Sequence, residues 1–110
     1  MANTFKAKTK LNVGISSGVS TIYTVPSSTT AVLVGLTLAN TSSSSITATV
    51  TFTNNDGDNV TLLKNAPIPV GSSLEVMSGN KIVMEASDIL KAYASASSSM
   101  DCTLSLMEIT

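Results

Sequence analysis

Apolar and polar residues alternate with a period of two along most of this chain. In the segment that begins at Ile46, residues 46, 48, 50 and 52 are apolar, while residues 47, 49, 51 and 53 are all threonine. Because successive side chains of a β-strand point to opposite faces, this pattern predicts a strand with one buried face. The same period predicts four more inward rows: Val19, Thr21, Tyr23 and Val25; Val32, Val34, Leu36 and Leu38; Leu90, Ala92, Ala94 and Ala96; and Cys102, Leu104 and Leu106.

Turn-forming residues separate these runs at nearly regular intervals. The predicted turns are 16–18, 26–30, 40–45, 54–59, 67–73, 78–80, 86–88 and 97–101. A short helix over 84–96 is the main helical alternative, but the alternation after Leu90 favours a strand. We therefore expect an all-β protein, a single antiparallel β-sandwich or jelly-roll-like domain of about eight or nine short strands. Residues 1–14 should form an extended N-terminal segment or arm, and residues 15–110 the β-sandwich domain.

The composition excludes much ordinary catalysis. The chain has 110 residues, of which 18 are serine and 15 threonine, and it contains no histidine, arginine or tryptophan. Without imidazole there is no histidine general base and no histidine metal ligand. The three glutamates are scattered and the aspartates fall at predicted turns, so no carboxylate pair stands out. We expect a protein that is not an enzyme and has no cofactor.

Charge and hydropathy narrow the choice of partners. Six lysines against seven acidic residues give a net charge of -1 and no basic field for a phosphate backbone, so we expect no nucleic-acid partner. The longest apolar stretch, residues 31–39, is about half the length of a membrane helix, and the N-terminus has no apolar signal segment. We expect no membrane partner and synthesis in the cytoplasm. Cys102 is the single cysteine, which excludes an intramolecular disulfide and predicts a buried thiol.

Three local features offer candidate sites. The acidic segment 54–59 invites a calcium site, but its spacing does not fit an EF-hand loop and a hairpin turn on Asp56 and Gly57 accounts for it better. A sugar-binding surface would need exposed aromatic rings, and Tyr93 is the only plausible exposed one.

The third feature is the alternation of Lys6, Lys8 and Lys10 near the N-terminus. An extended segment places all three ammonium groups on one face, where they could meet an acidic partner. The same pattern is typical of an edge strand that resists further pairing. Both interpretations stay open, and the three lysines are the candidate partner-binding residues.

Two long segments resemble known proteins. The segment TIYTVPSSTTAVLVGLTLANTSSSSITATV, residues 21–50, and the segment IPVGSSLEVMSGNKIVMEASDILKAYAS, residues 68–95, with the closing DCTLSLMEIT, are similar to small virion structural proteins of tailed bacteriophages, notably those of marine and cyanobacterial phages. The resemblance implies a β-sandwich virion component, and it carries no catalytic residues to transfer.

The leading functional hypothesis is a capsid decoration or cement protein in the virion, made in the cytoplasm of the bacterial host. Its expected partners are the major capsid protein or other virion proteins, with further copies of itself in a homo-oligomer. The alternatives are a neck, tail or fibre-associated protein that forms a ring or trimer, and a carbohydrate- or calcium-binding β module.

Overall fold

The chain folds into nine β-strands over the residues that the computed structural model describes, which are 3–77 and 81–110. The strands are β1 (Asn3–Lys10), β2 (Ser20–Thr24), β3 (Thr30–Asn40), β4 (Ile46–Thr53), β5 (Asn59–Ile68), β6 (Ser73–Glu75), β7 (Ile82–Met84), β8 (Ile89–Ala94) and β9 (Met100–Ile109). A short 3-10 turn at Ser16–Gly18 precedes β2. The predicted turn at 78–80 lies outside the described residues.

The strands form two antiparallel sheets. The five-stranded sheet has the order β1-β9-β3-β6, and β7 also pairs with β3. The four-stranded sheet has the order β2-β8-β4-β5. The two short strands β6 and β7 share one edge of β3, at residues 37–39 and 31–33 respectively. This arrangement confirms the prediction of an all-β, antiparallel sandwich-like domain.

The core lies between the two sheets and is built from alternate residues of the longest strands. Leu36, Leu90 and Leu104 are fully buried, and each contributes about 1.5–3 kcal/mol through removal of its side chain from water. The predicted inward rows in β4, β8 and β9 are confirmed up to the ends of the strands, but Thr49 of β4, which was predicted to face outward, is buried as well. Ala96 is exposed because β8 ends at Ala94, so the predicted row was one residue pair too long.

A β-bulge in β3 overturns part of one predicted row. Leu36 and Leu38 are buried as expected, but Val32 and Val34 lie on the outer face of the sheet. The register between β3 and β9 shifts after Leu33, where one extra residue enters β3. An inserted residue moves the inward phase by one position. The prediction was wrong for Val32 and Val34 because simple alternation assumes an uninterrupted strand.

A second bulge changes the row in β2. Ile22 and Tyr23 are adjacent in sequence and both buried, whereas Val19 and Thr21 are exposed. The register between β2 and β8 shifts between Thr21 and Tyr23. The bulge turns Tyr23 and Val25 inward as predicted, but it leaves the first half of the predicted row facing solvent.

The acidic segment 54–59 forms the hairpin turn between β4 and β5. Gly57 adopts a φ of 92°, a conformation that favours glycine. The side-chain oxygen of Asn54 accepts hydrogen bonds from the backbone N–H groups of Asp56 and Asp58. The turn interpretation of this segment is confirmed. Within the described residues, no three His, Cys, Asp or Glu side chains converge as metal ligands would.

The region for which a helix was the alternative is extended. It contains the end of β7, a turn, and all of β8. Over residues 3–77 and 81–110, no helix has the length and hydropathy needed to cross a membrane.

Candidate partner-binding site

Strand β1 lies at the end of the five-stranded sheet and is its most exposed element. All eight residues of Asn3–Lys10 are exposed. The strand pairs with β9 over its whole length, from the Asn3–Ile109 pair to the Lys10–Cys102 pair. No strand of the described chain pairs with its other edge. An unpaired edge carries free N–H and C=O groups and is a template for addition of another strand.

The candidate residues Lys6, Lys8 and Lys10 share one face of β1, as the alternation predicts. Their partners on β9 are Leu106, Leu104 and Cys102, which all point into the core. Directly paired residues of antiparallel strands point to the same face. The lysines therefore lie on the inner face of the five-stranded sheet, at its edge, where the second sheet does not cover them. Charged side chains on the inner face of an edge strand disfavour pairing with a second identical edge.

A buried carboxylate anchors β1 to the domain. The Lys6 Nζ atom lies 2.9 Å from Oε1 of Glu108, whose side chain is only 7% exposed. The Tyr23 hydroxyl of β2 donates a hydrogen bond to Oε2 of the same carboxylate. Glu108 therefore joins three strands, because it lies on β9 and binds side chains from β1 and β2.

These contacts shift the titration of both buried groups. The hydrogen bond from Tyr23 and the ion pair with Lys6 hold the pKa of Glu108 below its usual range, against the opposing effect of burial. Burial raises the pKa of Tyr23, and the hydrogen bond to the Glu108 carboxylate raises it further. Glu108 is thus an anion at neutral pH with a neutral phenol beside it. This contact links β1 to β9 and β2.

Lys8 and Lys10 differ from Lys6 in that neither forms an ion pair within 4 Å in the described part of the chain. Both side chains are exposed on the open edge. Two ammonium groups without a close ion pair, beside unpaired backbone groups, can bind an acidic extended segment.

Sequence reasoning missed Glu108, which it treated as one of three scattered glutamates. A signal was present, because Glu108 continues the inward phase of Leu104 and Leu106. A carboxylate at an inward position requires hydrogen-bonding or charged partners. The identity of those partners was not readable, since Tyr23 is 85 positions away in sequence.

The aromatic and thiol side chains are placed as follows. Tyr93 is only half-buried, but the most exposed aromatic side chain of the described residues is Phe5 at 77%, so Tyr93 was the wrong choice of an exposed ring. Cys102 is buried as predicted, and burial raises the pKa of its thiol to about 12, with a smaller contribution from the Asp101 charge.

Comparison with known proteins reveals similarity at the level of fold. No protein-family model matches the chain, and no curated protein matches it. Among solved structures, it is similar to a chain in the acidic stable capsid of the Helicobacter pylori bacteriophage KHP30, with a TM-score of 0.53 and 13% identity over 100% of this chain and 89% of that chain. It is also similar to a chain of infectious bursal disease virus Gx strain, with a TM-score of 0.48 and 11% identity over 96% of this chain and 37% of that one. A third similar structure is Eiger TNF from S. frugiperda, with a TM-score of 0.39 and 14% identity over 94% of this chain and 90% of that chain. At 13% identity the likeness to the KHP30 chain shows a shared fold and nothing finer.

Proposed function

We propose that this protein is a non-enzymatic structural component of a virion and that it decorates and cements a capsid. The observation that carries the proposal is the exposed edge strand β1, with its row of lysines, on a domain that shares its fold with a phage capsid chain along its whole length. The absence of histidine from the sequence argues against an acid-base catalyst of the usual kind.

The attachment occurs by strand addition at the free edge of β1. An extended segment of a capsid subunit pairs with the backbone of Asn3–Lys10 and continues the five-stranded sheet. Main-chain hydrogen bonds then supply affinity, and side chains on the two faces supply specificity. The long pairing of β1 with β9 supports this mode, because it presents the edge in an already extended conformation and so lowers the entropy lost on binding.

The lysine row selects an acidic partner. Lys6 is already paired with Glu108 and anchors the edge, which leaves Lys8 and Lys10 to meet carboxylates of the added strand. Opposite charges directly across two strands favour pairing, and like charges oppose it. A capsid segment with acidic residues at alternate positions would therefore match this edge, whereas a basic segment would be rejected.

Stabilisation of the shell comes from the number of copies. Each contact is modest, because exposed ion pairs contribute only about 0.2–1 kcal/mol apiece. A protein that binds two neighbouring subunits turns the second contact into an intramolecular one, and repetition over a symmetric lattice multiplies the effect. We expect decorated particles to resist heat and low salt better than undecorated particles.

A pair of matched variants tests the lysine row. Lys8→Glu with Lys10→Glu reverses two charges on the edge and keeps both partners of the Lys6–Glu108 ion pair, and thermal melting checks that the variant is folded. The control is Lys64→Glu with Lys91→Glu, which makes the same change in net charge on the four-stranded sheet, away from β1. The probe is the undecorated capsid of the virus that encodes the chain, and the readout is the bound fraction after sedimentation.

The edge variant should bind the capsid about 10-fold more weakly at low salt, since two attractive contacts become repulsive. The difference should shrink at about 0.5 M salt because exposed charges are then screened. The control should bind like the wild-type chain. Equal binding by the edge variant would exclude the lysine row, and no binding by the wild-type chain would contradict the capsid role itself.

A further inference from the structure

A row of apolar side chains crosses the outer face of the five-stranded sheet. Phe5 of β1 pairs with Met107 of β9, Met107 pairs with Val32 of β3, and Val32 pairs with Val83 of β7. Directly paired residues share a face, so the four side chains lie side by side across four strands. Phe5 is 77% exposed and Val83 is 60% exposed. We call these four residues the apolar row.

The residues beside the apolar row extend it with neutral side chains. On one side, Ile109 pairs with Asn3 and Thr30, and on the other, Ser105 pairs with Ala7. Val34, at the bulge of β3, adds another partly exposed apolar side chain. Along the strands of this face, the surroundings of the apolar row carry no charge.

The acidic residues within the strands of the outer face lie far from the row. Glu75 is level with Thr103, four positions from Met107, and Asp101 is six positions from it. At about 3.3 Å per residue these separations are roughly 13 and 20 Å. The outer face therefore has a neutral, apolar end and an acidic end.

The charges that do flank the apolar row have opposite signs. Lys81 precedes β7 by one residue and Glu85 follows it by one residue, and both are exposed. They stand two positions before and two positions after Val83, so they bracket one end of the row. A surface bracketed in this way is complementary to a copy of itself in the reversed strand direction.

We propose that the outer face of the five-stranded sheet is a self-association surface on which a second copy of this chain packs face to face. The two-fold axis runs along the apolar row, so that each residue of the row lies opposite the same residue of the other copy. Rotation about that axis reverses the strand direction and brings Lys81 of each copy opposite Glu85 of the other. This inference does not depend on capsid attachment.

The distribution of charge favours different partners for the outer face of the sheet and for the free edge of β1. If β1 paired with β1 of a second copy about a two-fold axis, the inner faces of both sheets would lie on the same side. The three lysines of one copy would then lie opposite the three lysines of the other, and this repulsion opposes self-pairing through the edge. The outer face has no such conflict, and its bracketing charges attract a copy. A second chain is therefore the occupant that fits the face, while the edge is left for an acidic partner.

The area of the face sets the expected strength. Four strands about 4.8 Å apart, each contributing about five residues around the row, give a face of roughly 300 Å². Stable complexes bury about 800 Å² on each partner. The dimer should thus be weak, with dissociation at micromolar to millimolar concentration, and it becomes significant where many copies are held close together.

Sedimentation equilibrium of the isolated chain, from about 10 μM to about 1 mM, tests the face. The wild-type chain should show a monomer–dimer equilibrium. Phe5→Thr and Val83→Thr keep the preference for strand structure but remove apolar surface, and each should raise the dissociation constant by about 10-fold or more. The control is Val60→Thr, which changes an exposed valine of the other sheet and should leave the equilibrium unchanged.

A charge swap tests the two-fold axis. Lys81→Glu alone and Glu85→Lys alone each place like charges opposite one another and should weaken the dimer about 5-fold. The double variant with both changes restores opposite charges and should recover wild-type association. This test does not touch β1, so it remains decisive if Phe5→Thr disturbs that strand, and thermal melting checks that each variant is folded.

Three outcomes would overturn the proposal. The first is a wild-type chain that stays monomeric up to about 1 mM. If the row variants then still lower binding to capsids, the outer face binds a capsid subunit and not a second copy of the chain. The second is an association that responds equally to Val60→Thr and to the row variants. The third is a double charge swap that fails to recover association.

Discussion

The hydroxyl of Tyr23 is a single buried group whose removal tests how β1 and β9 are held to the rest of the domain. Tyr23→Phe deletes the donor to Glu108 and keeps the ring, so no cavity forms in the core. The carboxylate stays buried and keeps its ion pair with Lys6. The substitution therefore measures the loss of one hydrogen bond to a charged, buried acceptor.

The magnitude follows from the charge and burial of the acceptor. Hydrogen bonds to charged groups contribute about 1.5–3 kcal/mol, and Lys6 remains to offset part of the loss, so we expect the free energy of unfolding to fall by about 2 kcal/mol. For a domain of this size the melting temperature should fall by roughly 8 °C. The assay is urea unfolding at pH 7, in which the midpoint should move while the slope stays constant.

Two controls decide whether the reasoning holds. Tyr93→Phe removes a hydroxyl that has no hydrogen bond among the residues the structure describes, and it should change stability by less than about 0.5 kcal/mol. In a background that carries Glu108→Gln, Tyr23→Phe should lose about half of its effect, because the acceptor is no longer charged. A loss no larger than that of Tyr93→Phe, or an equal loss in both backgrounds, would refute the account of this contact.

Three further predictions concern pH, packing and reactivity. The pKa of Glu108 is lower in the folded state, so its contribution to the free energy of unfolding is full above the unfolded pKa of 4.5 and is lost as the pH falls below it. Glu108→Gln should therefore flatten the decline of the free energy of unfolding between about pH 5 and 3. An unchanged slope would contradict this. A Cβ at Gly14 would clash with the carbonyl oxygen of Gly18, so Gly14→Ala should destabilise the fold by about 1–3 kcal/mol in urea unfolding. Gly18→Ala, whose Cβ would meet nothing within 4 Å, should be nearly neutral. Because its thiol pKa is about 12, Cys102 should resist alkylation at pH 8 in the folded protein and react fully in denaturant. Rapid labelling of the native chain would contradict this, since it would show that the thiol is accessible.

The sequence predicted the fold well where strands are regular. The alternation in β8 and β9 identified the buried face, because each of these strands keeps its period of two across its buried part, whereas in β4 the predicted outward residue Thr49 is buried as well. It failed at Val32 and Val34 and in the first half of the β2 row, where bulges shift the phase. A bulge depends on the register between two paired strands, so the sequence of one strand alone does not locate it.

The candidate site also has a part that was predictable from the sequence and a part that was not. The shared face of Lys6, Lys8 and Lys10 is a property of one extended segment and was predicted from local alternation. The difference between Lys6 and the other two depends on Glu108, which the chain brings to β1 only through the order of strands in the sheet. The apolar row escaped sequence reasoning for the same reason, since its four members come from four strands whose register is set by the fold.

The copy number of the chain in purified virions is the measurement that tests the proposed capsid role most directly. Gel densitometry against the major capsid protein gives this ratio without any assumption about the binding site. A decorating and cementing protein should be present in hundreds of copies, in a fixed proportion to the capsid lattice. About a dozen copies would contradict that role and indicate a ring at the neck or tail, and its absence from the particle would contradict a virion function altogether.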